Sequence, residues 1–171
     1  MKLLKKLLPK NWKPIFVEDS KIPIWLSKIA PLTIGAITIF PFVFSRGKMN
    51  ETTRRHETMH FQQCIETLLI GTMLLYVFDW IHGRIKYRNN WEGQKTPRGG
   101  LYASAGNKAY YRVRAEQEAY SNEGDKKYLE NRKLDPDKFY YTDKFKEWSN
   151  SQRHTFDDLT FDEPRIIIPL V

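Results

Sequence analysis

The sequence of 171 residues has a single cysteine, Cys64, and no long uninterrupted apolar run. One thiol excludes an internal disulfide, so nothing in the sequence points to an oxidising compartment. A membrane-spanning helix needs about 18 clean apolar residues or more. The two longest apolar stretches, APLTIGAITIFPFVF and LLIGTMLLYVFDWI, fall short of that length, and Asp79 interrupts the second. We therefore interpret both as elements of a folded core.

Signals for export and for nucleic-acid binding are also missing. The opening MKLLKKLLPKNW is basic but lacks the apolar core and the small-residue cleavage site of a signal peptide. Residues 1–14 fit a short amphipathic helix that makes peripheral contact with a membrane. The net charge of +8 would suit an acidic partner, but no interleaved aromatic and basic motif supports nucleic acid. We expect a cytoplasmic protein without a nucleic-acid partner, with membrane association as the alternative.

What the sequence does contain indicates one folded domain. Hydrophobic residues make up 41% of the chain and aromatic residues 14%, which suffices for a core at this length. We interpret residues 1–30, which are basic and interrupted by prolines, as a lead-in. Residues 31–171 are then a single domain with its core in residues 32–128, and no internal repeat is visible.

The first elements of this domain predict a strand followed by two helices, and hence an α+β fold. The stretch from Leu32 to Phe44 has the β-branched and aromatic composition of a strand, which ends at Pro41 or lies at a sheet edge. Asn50 is a candidate N-cap for a helix through HETMHFQQCIETLL. Gly71 bends this helix or separates it from a second, apolar helix.

The second half is predicted to contain a long loop and further helices. Residues 88–107 are polar and rich in glycine, which is typical of a loop. KAYYRVRAEQEAYSNE has good helix formers and should be helical up to Gly124. Short helices are predicted in KKYLENRKL and TDKFKEWSN, and a strand in the final PRIIIPLV.

The segment RRHETMHFQQ, residues 54–63, carries an HExxH pattern on a predicted helix. His56 and His60 are four residues apart, so both imidazoles lie on one helix face and can hold one ion. Glu57 is turned by about 100° around the helix axis, so it can reach a water on the metal without occupying a coordination position. Zn²⁺ lowers the pKa of such a water, and the carboxylate accepts its proton as a general base. The competing interpretation is a polar helix face with two half-exposed histidines.

Two histidines leave zinc under-coordinated, so a third ligand is required. The segment RAEQEAYSNE offers Glu116 and Glu118, which face different directions on a helix, so only one of them can join the histidines. Glu116 shares its face with Ala119, whose small side chain permits the two helices to approach closely. We favour Glu116 and keep Glu118 as the alternative ligand, against the simpler interpretation of a solvated helix face.

HExxH followed by a helix with ExxA resembles the active-site layout of the glutamate-zincin (gluzincin) metallopeptidases, in particular the HtpX-like and CAAX-prenyl-protease group. In that group the glutamate of an ExxAD motif completes the metal site, which implies Glu116 here, and the aspartate supports a ligand histidine. Tyr120 stands where that aspartate would be, and its hydroxyl is then expected to hydrogen-bond an imidazole. Tyr120, Tyr111 and Tyr110 are also candidates to stabilise an oxyanion.

A longer resemblance covers residues 32–128. The order TIFPFVF, HETMHFQQCIETLL and AYYRVRAEQEAYSNE is similar to a family of small bacterial and phage proteins that share HExxHxxQQ and ExEAY and are described at most as metallopeptidases. The resemblance implies a minimal zincin-like fold, in which the edge strand of a short sheet packs on the HExxH helix and a second helix carries the third ligand. The edge strand would bind an extended peptide. The resemblance therefore predicts a hydrolase, namely a zinc-dependent metalloendopeptidase that acts on a peptide or protein substrate.

Two other functions fit the same residues. A zinc-stabilised structural or binding protein without turnover is motivated by Tyr120 in place of aspartate and by the long loop, which would cover the cleft. A membrane-surface protein with a pseudo-active helix is motivated by KLLKKLLPKNW and by the apolar segment from Leu68 to Ile81. The sequence does not indicate which peptide is cut.

Overall fold

A computed structural model describes residues 12–30, 33–67 and 69–132. Within these residues the chain forms three strands and six helices, which confirms the predicted α+β fold. The elements are β1 (Ile15–Val17), α1 (Ile22–Ile29), β2 (Ala36–Ile39), β3 (Phe42–Ser45), α2 (Glu51–Glu66), α3 (Ile70–Lys86), α4 (Ala105–Tyr111), α5 (Arg114–Asn122) and α6 (Tyr128–Asn131). Most of residues 1–14, the helix predicted in TDKFKEWSN and the strand predicted in PRIIIPLV lie outside the described residues.

The three strands form one mixed sheet in the order β1-β3-β2. β1 runs parallel to β3, and β2 runs antiparallel to it, so β3 is the central strand. The strand predicted between Leu32 and Phe44 is β2, which ends at Ile39, just before Pro41, and lies at a sheet edge as predicted. The sequence did not predict β3, which forms because the chain reverses at Phe40–Pro41 and pairs back on β2. Pro41 has a fixed φ and no N–H, which favours a turn over a continuous ladder. The sheet also includes β1, which precedes residue 31, where the sequence placed the start of the domain.

The helix α2 begins where the sequence predicts it. The side chain of Asn50 accepts a hydrogen bond from the backbone N–H of Thr53 at 2.8 Å, which confirms Asn50 as the N-cap. Glu51 lies in the first turn, where the helix dipole stabilises an acid. After Glu66 the chain changes direction by 110° into α3. The sequence prediction that two helices are separated near Gly71 is thus confirmed, although the break precedes Gly71.

The helices α3 and α4 pack closely against each other because small residues meet at their contact. A Cβ atom at Gly83 would lie 3.0 Å from the Cβ atom of Ala109, tighter than ordinary van der Waals contact. The loop between these helices is anchored by the buried Lys108, whose Nζ donates to the carbonyl oxygen of Asn90 and to Oε1 of Gln94, both at 2.6 Å. A long loop is therefore confirmed, although α4 begins at Ala105, before the predicted end of the loop at residue 107.

The predicted helix that ends at Gly124 is divided into α4 and α5. Val113 has an extended backbone, with φ −59° and ψ 131°. The next residue, Arg114, is fixed by Asp79 of α3, whose carboxylate accepts from the Arg114 backbone N–H at 3.1 Å and from its guanidinium at 2.7 Å. This buried contact sets the start and the direction of α5. The short helix predicted in KKYLENRKL is confirmed as α6.

No helix in the described part of the chain is by itself long and apolar enough to cross a membrane. The pair α2 and α3 together has the length and composition of a span, but the two helices are bent by 110° at their junction.

Candidate metal centre

The two histidines of HExxH converge on the same point. They lie one turn apart on α2, and their Nε2 atoms are 3.1 Å from each other. Residue exposure is only 5% for His56, and the side chain of His60 is 12% exposed. The interpretation of a half-exposed polar helix face is therefore wrong, since both imidazoles point into the protein.

Glu116 on α5 completes this cluster. Its carboxylate lies 3.3 Å from Nε2 of His56 and 3.3 Å from Nε2 of His60. α2 and α5 pack against each other, and Ala119, one turn after Glu116, is fully buried. In the described residues these three side chains are the group of possible metal ligands whose donor atoms all lie within 4.8 Å of one another.

The spacing of these donor atoms fits a tetrahedral zinc ion. Zinc–nitrogen and zinc–oxygen bonds of about 2.0–2.2 Å at tetrahedral angles place neighbouring donors roughly 3.3 Å apart, close to the separations given above. Oε2 of Glu116 is buried without a well-aligned hydrogen bond, and Nε2 of His56 lies 3.3 Å from it. A buried carboxylate oxygen without a hydrogen bond is costly unless a cation lies beside it. The residues present therefore fit a metal ion.

The outer ring nitrogen of His60 is held by a buried network. Gln63 donates its amide hydrogens to the carbonyl oxygen of Ala115 at 3.0 Å and to Oε2 of Glu118 at 2.8 Å. Its Oε1 must therefore accept from Nδ1 of His60, 2.8 Å away. Glu118 is itself paired with Arg132 at 2.7 Å. Glu118, the alternative ligand, thus contacts Gln63 and Arg132 rather than the histidines. It supports the site by fixing the orientation of Gln63.

The outer ring nitrogen of His56 is held by Glu123. Nδ1 of His56 donates to Oε2 of Glu123 at 2.7 Å, and Arg98 from the long loop pairs with the same carboxylate at 2.9 Å. The hydrogen-bond partner of His56 is therefore Glu123, which accepts from the ring, and not the hydroxyl of Tyr120 that the sequence predicted. Tyr120 instead packs its ring edge-on against His56, with the centroids 4.7 Å apart.

These outer hydrogen bonds fix the tautomer of both imidazoles. Because Nδ1 carries the hydrogen in each neutral ring, Nε2 presents a lone pair towards Glu116 and towards the other ring. Two lone pairs and a carboxylate in one buried place repel each other unless a proton or a metal ion lies between them. This is the arrangement that metal-binding histidines show, with the second nitrogen oriented by a carboxylate or an amide.

The pKa values of the three side chains in the metal-free protein also show that the carboxylates favour a positive charge on the two imidazoles. Burial lowers the pKa of His56, but the carboxylates of Glu116 and Glu123 outweigh it and raise the pKa to about 10. Burial likewise lowers the pKa of His60, and Glu116 reverses the effect, so the net shift is upward. Burial raises the pKa of Glu116, but His60 and His56 together hold it well below its ordinary value.

Glu57 lies beside the histidines and is fixed by the sheet. It is 5% exposed, and its Oε2 accepts a hydrogen bond from Oγ1 of Thr38 at 2.8 Å. Thr38 is in β2, an edge strand of the described sheet, so this contact joins the edge strand to the HExxH helix. The negative charge of Glu57 also contributes to the upward pKa shifts of His56 and His60.

Tyrosines surround the cluster. Tyr76 of α3 donates to Oε1 of Glu116 at 3.2 Å, and the hydroxyls of Tyr110 and Tyr120 are 3.1 Å apart. Tyr111 packs its ring against Tyr120, with the centroids 4.8 Å apart. The hydroxyl that contacts Glu116 is thus that of Tyr76, a residue to which the sequence assigned no role.

Four residues of the site were missed or given no role: Thr38, Gln63, Tyr76 and Glu123. Helical spacing offers a signal for two of them, because Gln63 follows His60 by three residues and Glu123 follows Glu116 by seven. Thr38 and Tyr76 come from other elements, and no local pattern marks them. No family model, curated protein or solved structure matches the chain.

Proposed function

We propose that the protein is a zinc-dependent metallopeptidase in which His56, His60 and Glu116 hold the ion and Glu57 is the general base. The observation that carries this proposal is the convergence of three buried donors beside a carboxylate that Thr38 fixes. When bound, Zn²⁺ acts as a Lewis acid that polarises a peptide carbonyl and lowers the pKa of a water. Two imidazoles and one carboxylate are a ligand set of catalytic zinc sites, which leave one position open.

The residues of the chain account for the proton transfers of peptide hydrolysis. The carboxylate of Glu57 accepts a proton from the attacking water and then delivers it to the leaving amine. Thr38 donates a hydrogen bond to Oε2 of Glu57, which keeps the carboxylate in a fixed orientation beside the histidines. Glu123 and Gln63 keep the two imidazoles in the tautomer that binds metal. The order of HExxH and a later helical glutamate supports a relation to the glutamate-zincin layout.

The position of β2 supports a peptide or protein as the substrate. Within the described sheet β2 pairs with β3 along one side, and its other side can pair with an extended chain. Because Thr38 belongs to β2 and contacts Glu57, a peptide in that place would run past the proposed base.

Metal content tests the site itself. Mass spectrometry on the untagged full chain should find about one zinc per chain. His60→Ala and Glu116→Gln should each remove the metal. His82→Ala is the matched control, since His82 lies on α3 and its ring stacks on Phe78. Glu118→Gln separates the two acids: metal lost there and kept in Glu116→Gln would make Glu118 the ligand.

Glu57→Gln separates catalysis from metal binding. The amide keeps the shape of the side chain and can still bond Thr38, but it cannot accept a proton. We expect this variant to keep its zinc and to lose hydrolysis of a peptide-library substrate by about 10²–10⁴-fold. Full hydrolysis by Glu57→Gln would rule out Glu57 as the base.

A zinc-stabilised protein without turnover is the second candidate, and the depth of the site favours it. His56, Glu57 and Glu116 are each 4–5% exposed, and Arg98 fastens the long loop to Glu123. X-ray absorption of the zinc-loaded protein distinguishes the two, since a closed site has four protein ligands and a catalytic site keeps one position for water.

A further inference from the structure

The outward face of α3 is apolar along about four helical turns. Six large side chains on this face are 49% to 67% exposed: Ile70, Met73, Leu74, Val77, Ile81 and Ile85. Single exposed apolar residues are ordinary on protein surfaces, but a continuous stripe of this length marks an interaction surface.

The inward face of the same helix carries the polar contacts. Tyr76 donates to Glu116, and Asp79 pairs with Arg114 at 2.7 Å. The helix therefore has its polar groups inside and its apolar groups outside, the reverse of a helix that faces water. The apolar outer face would therefore be more stable against an apolar surface than in water.

The charges at this face indicate what that medium is. Residues 70–88 contain one acidic residue, Asp79, and it is paired with Arg114. At the C-terminal end of the apolar stripe, Arg84, Lys86 and Arg88 are exposed. An apolar face that ends in basic residues, with no exposed acid between residues 70 and 88, is complementary to a bilayer with anionic headgroups. A second copy fits less well, because a chain of net charge +8 repels itself.

We propose that α3 docks on the surface of an anionic membrane through this apolar face. The stripe from Ile70 to Ile85 is about 22 Å long, shorter than the roughly 30 Å hydrocarbon core, so the helix lies along the interface. Its basic end contacts the headgroups, and its inward face stays in contact with α4 and α5. This docking is independent of the proposed peptidase activity.

Vesicle flotation of the full chain tests the docking. The protein should float with vesicles that contain phosphatidylserine, and less with phosphatidylcholine alone or at high salt. The double variant Leu74→Glu and Val77→Glu should bind at least about tenfold more weakly, since losing the apolar contact of even one side chain changes an equilibrium constant by roughly that factor. Leu101→Glu is the matched control, because Leu101 is 64% exposed and lies outside α3, and it should bind like the unaltered protein.

Zinc content and circular dichroism show whether the double variant is folded. Arg84→Gln with Arg88→Gln provides a second variant, which should lower binding to the anionic vesicles alone. Failure of the unaltered chain to float, or undiminished binding by the Leu74→Glu and Val77→Glu variant, would overturn the proposal. A dimer in light scattering without lipid, abolished by the same variant, would also overturn it by assigning the face to self-association.

Discussion

At the scale of single residues, Glu123 shows how a site can depend on a residue that the motif does not contain. It accepts from Nδ1 of His56 at 2.7 Å and so directs the lone pair of Nε2 towards the metal. We predict that Glu123→Gln lowers zinc affinity by about 10–100-fold. Competition with a chromogenic chelator measures the change.

Arg98→Ala is the control for this prediction. The side chain of Arg98 is 53% exposed, and its removal takes away the outer partner of Glu123 but leaves the hydrogen bond to His56 in place. Zinc affinity in Arg98→Ala should stay close to that of the unaltered protein. Equal losses in both variants would mean that Glu123 acts by anchoring the loop rather than by orienting His56.

The residues whose roles follow from helical spacing were predictable from the sequence. HExxH brought His56, His60 and Glu57 together, and the comparison of helix faces selected Glu116 over Glu118. Tyr120 illustrates the limit. A motif position suggested a hydrogen bond from its hydroxyl, but Glu123, which directly follows α5, has a carboxylate that reaches the imidazole of His56 and accepts the stronger hydrogen bond from it.

At the scale of elements, the contact between α3 and α4 depends on Gly83. A Cβ atom there would lie 3.0 Å from Cβ and 3.2 Å from Cα of Ala109, so a larger side chain forces the helices apart. We predict that Gly83→Leu destabilises the protein by about 1–3 kcal/mol. Urea unfolding measures it, and the midpoint should fall at unchanged slope.

Gly35→Leu is the matched control for Gly83→Leu. No atom lies within 4 Å of a Cβ atom built at Gly35, so the effect on stability should stay within about 0.5 kcal/mol. If both substitutions lowered the midpoint equally, the cause would be a general effect of replacing glycine and not the helix contact.

The elements that the sequence predicted well are those with a strong local signal. Asn50 is a cap with its own hydrogen bond, and the glycine-rich loop has no competing pattern. Pro41 indicated the end of β2, but the second strand of the hairpin was missed, because the composition on both sides of Pro41 is that of one strand and only pairing within the sheet identifies β3. The break at Val113 was missed for a related reason, since it is fixed by Asp79, a residue of another helix.

At the scale of the whole molecule, one buried network ties together the elements that form the site. Arg132, which follows α6, pairs with Glu66 of α2 and Glu118 of α5, each at 2.7 Å. Gln63 extends this network to His60. A metal held by α2 and α5 adds a second link between the same helices, so metal binding and folding should be coupled.

This coupling predicts how the stability of the protein depends on pH with and without zinc. In the metal-free protein the pKa of His56 is raised from 6.5 to about 10, so the proton on His56 stabilises the folded state fully below pH 6.5. That stabilisation is lost as the pH rises towards 10, by up to about 1.4 kcal/mol per pH unit for one proton. Zinc needs the unprotonated imidazole, so its stabilising effect grows over the same window.

The measurement is the midpoint of thermal unfolding with saturating zinc and with a chelator, repeated from pH 6.5 upwards. The difference between the two midpoints should widen as the pH rises, because the proton that competes with zinc is being lost. In His56→Gln the competing proton is absent, so the difference should be small and nearly independent of pH. If the difference between the two midpoints stayed constant from pH 6.5 to 10 in the unaltered protein, His56 would not be the site at which the proton and the metal compete.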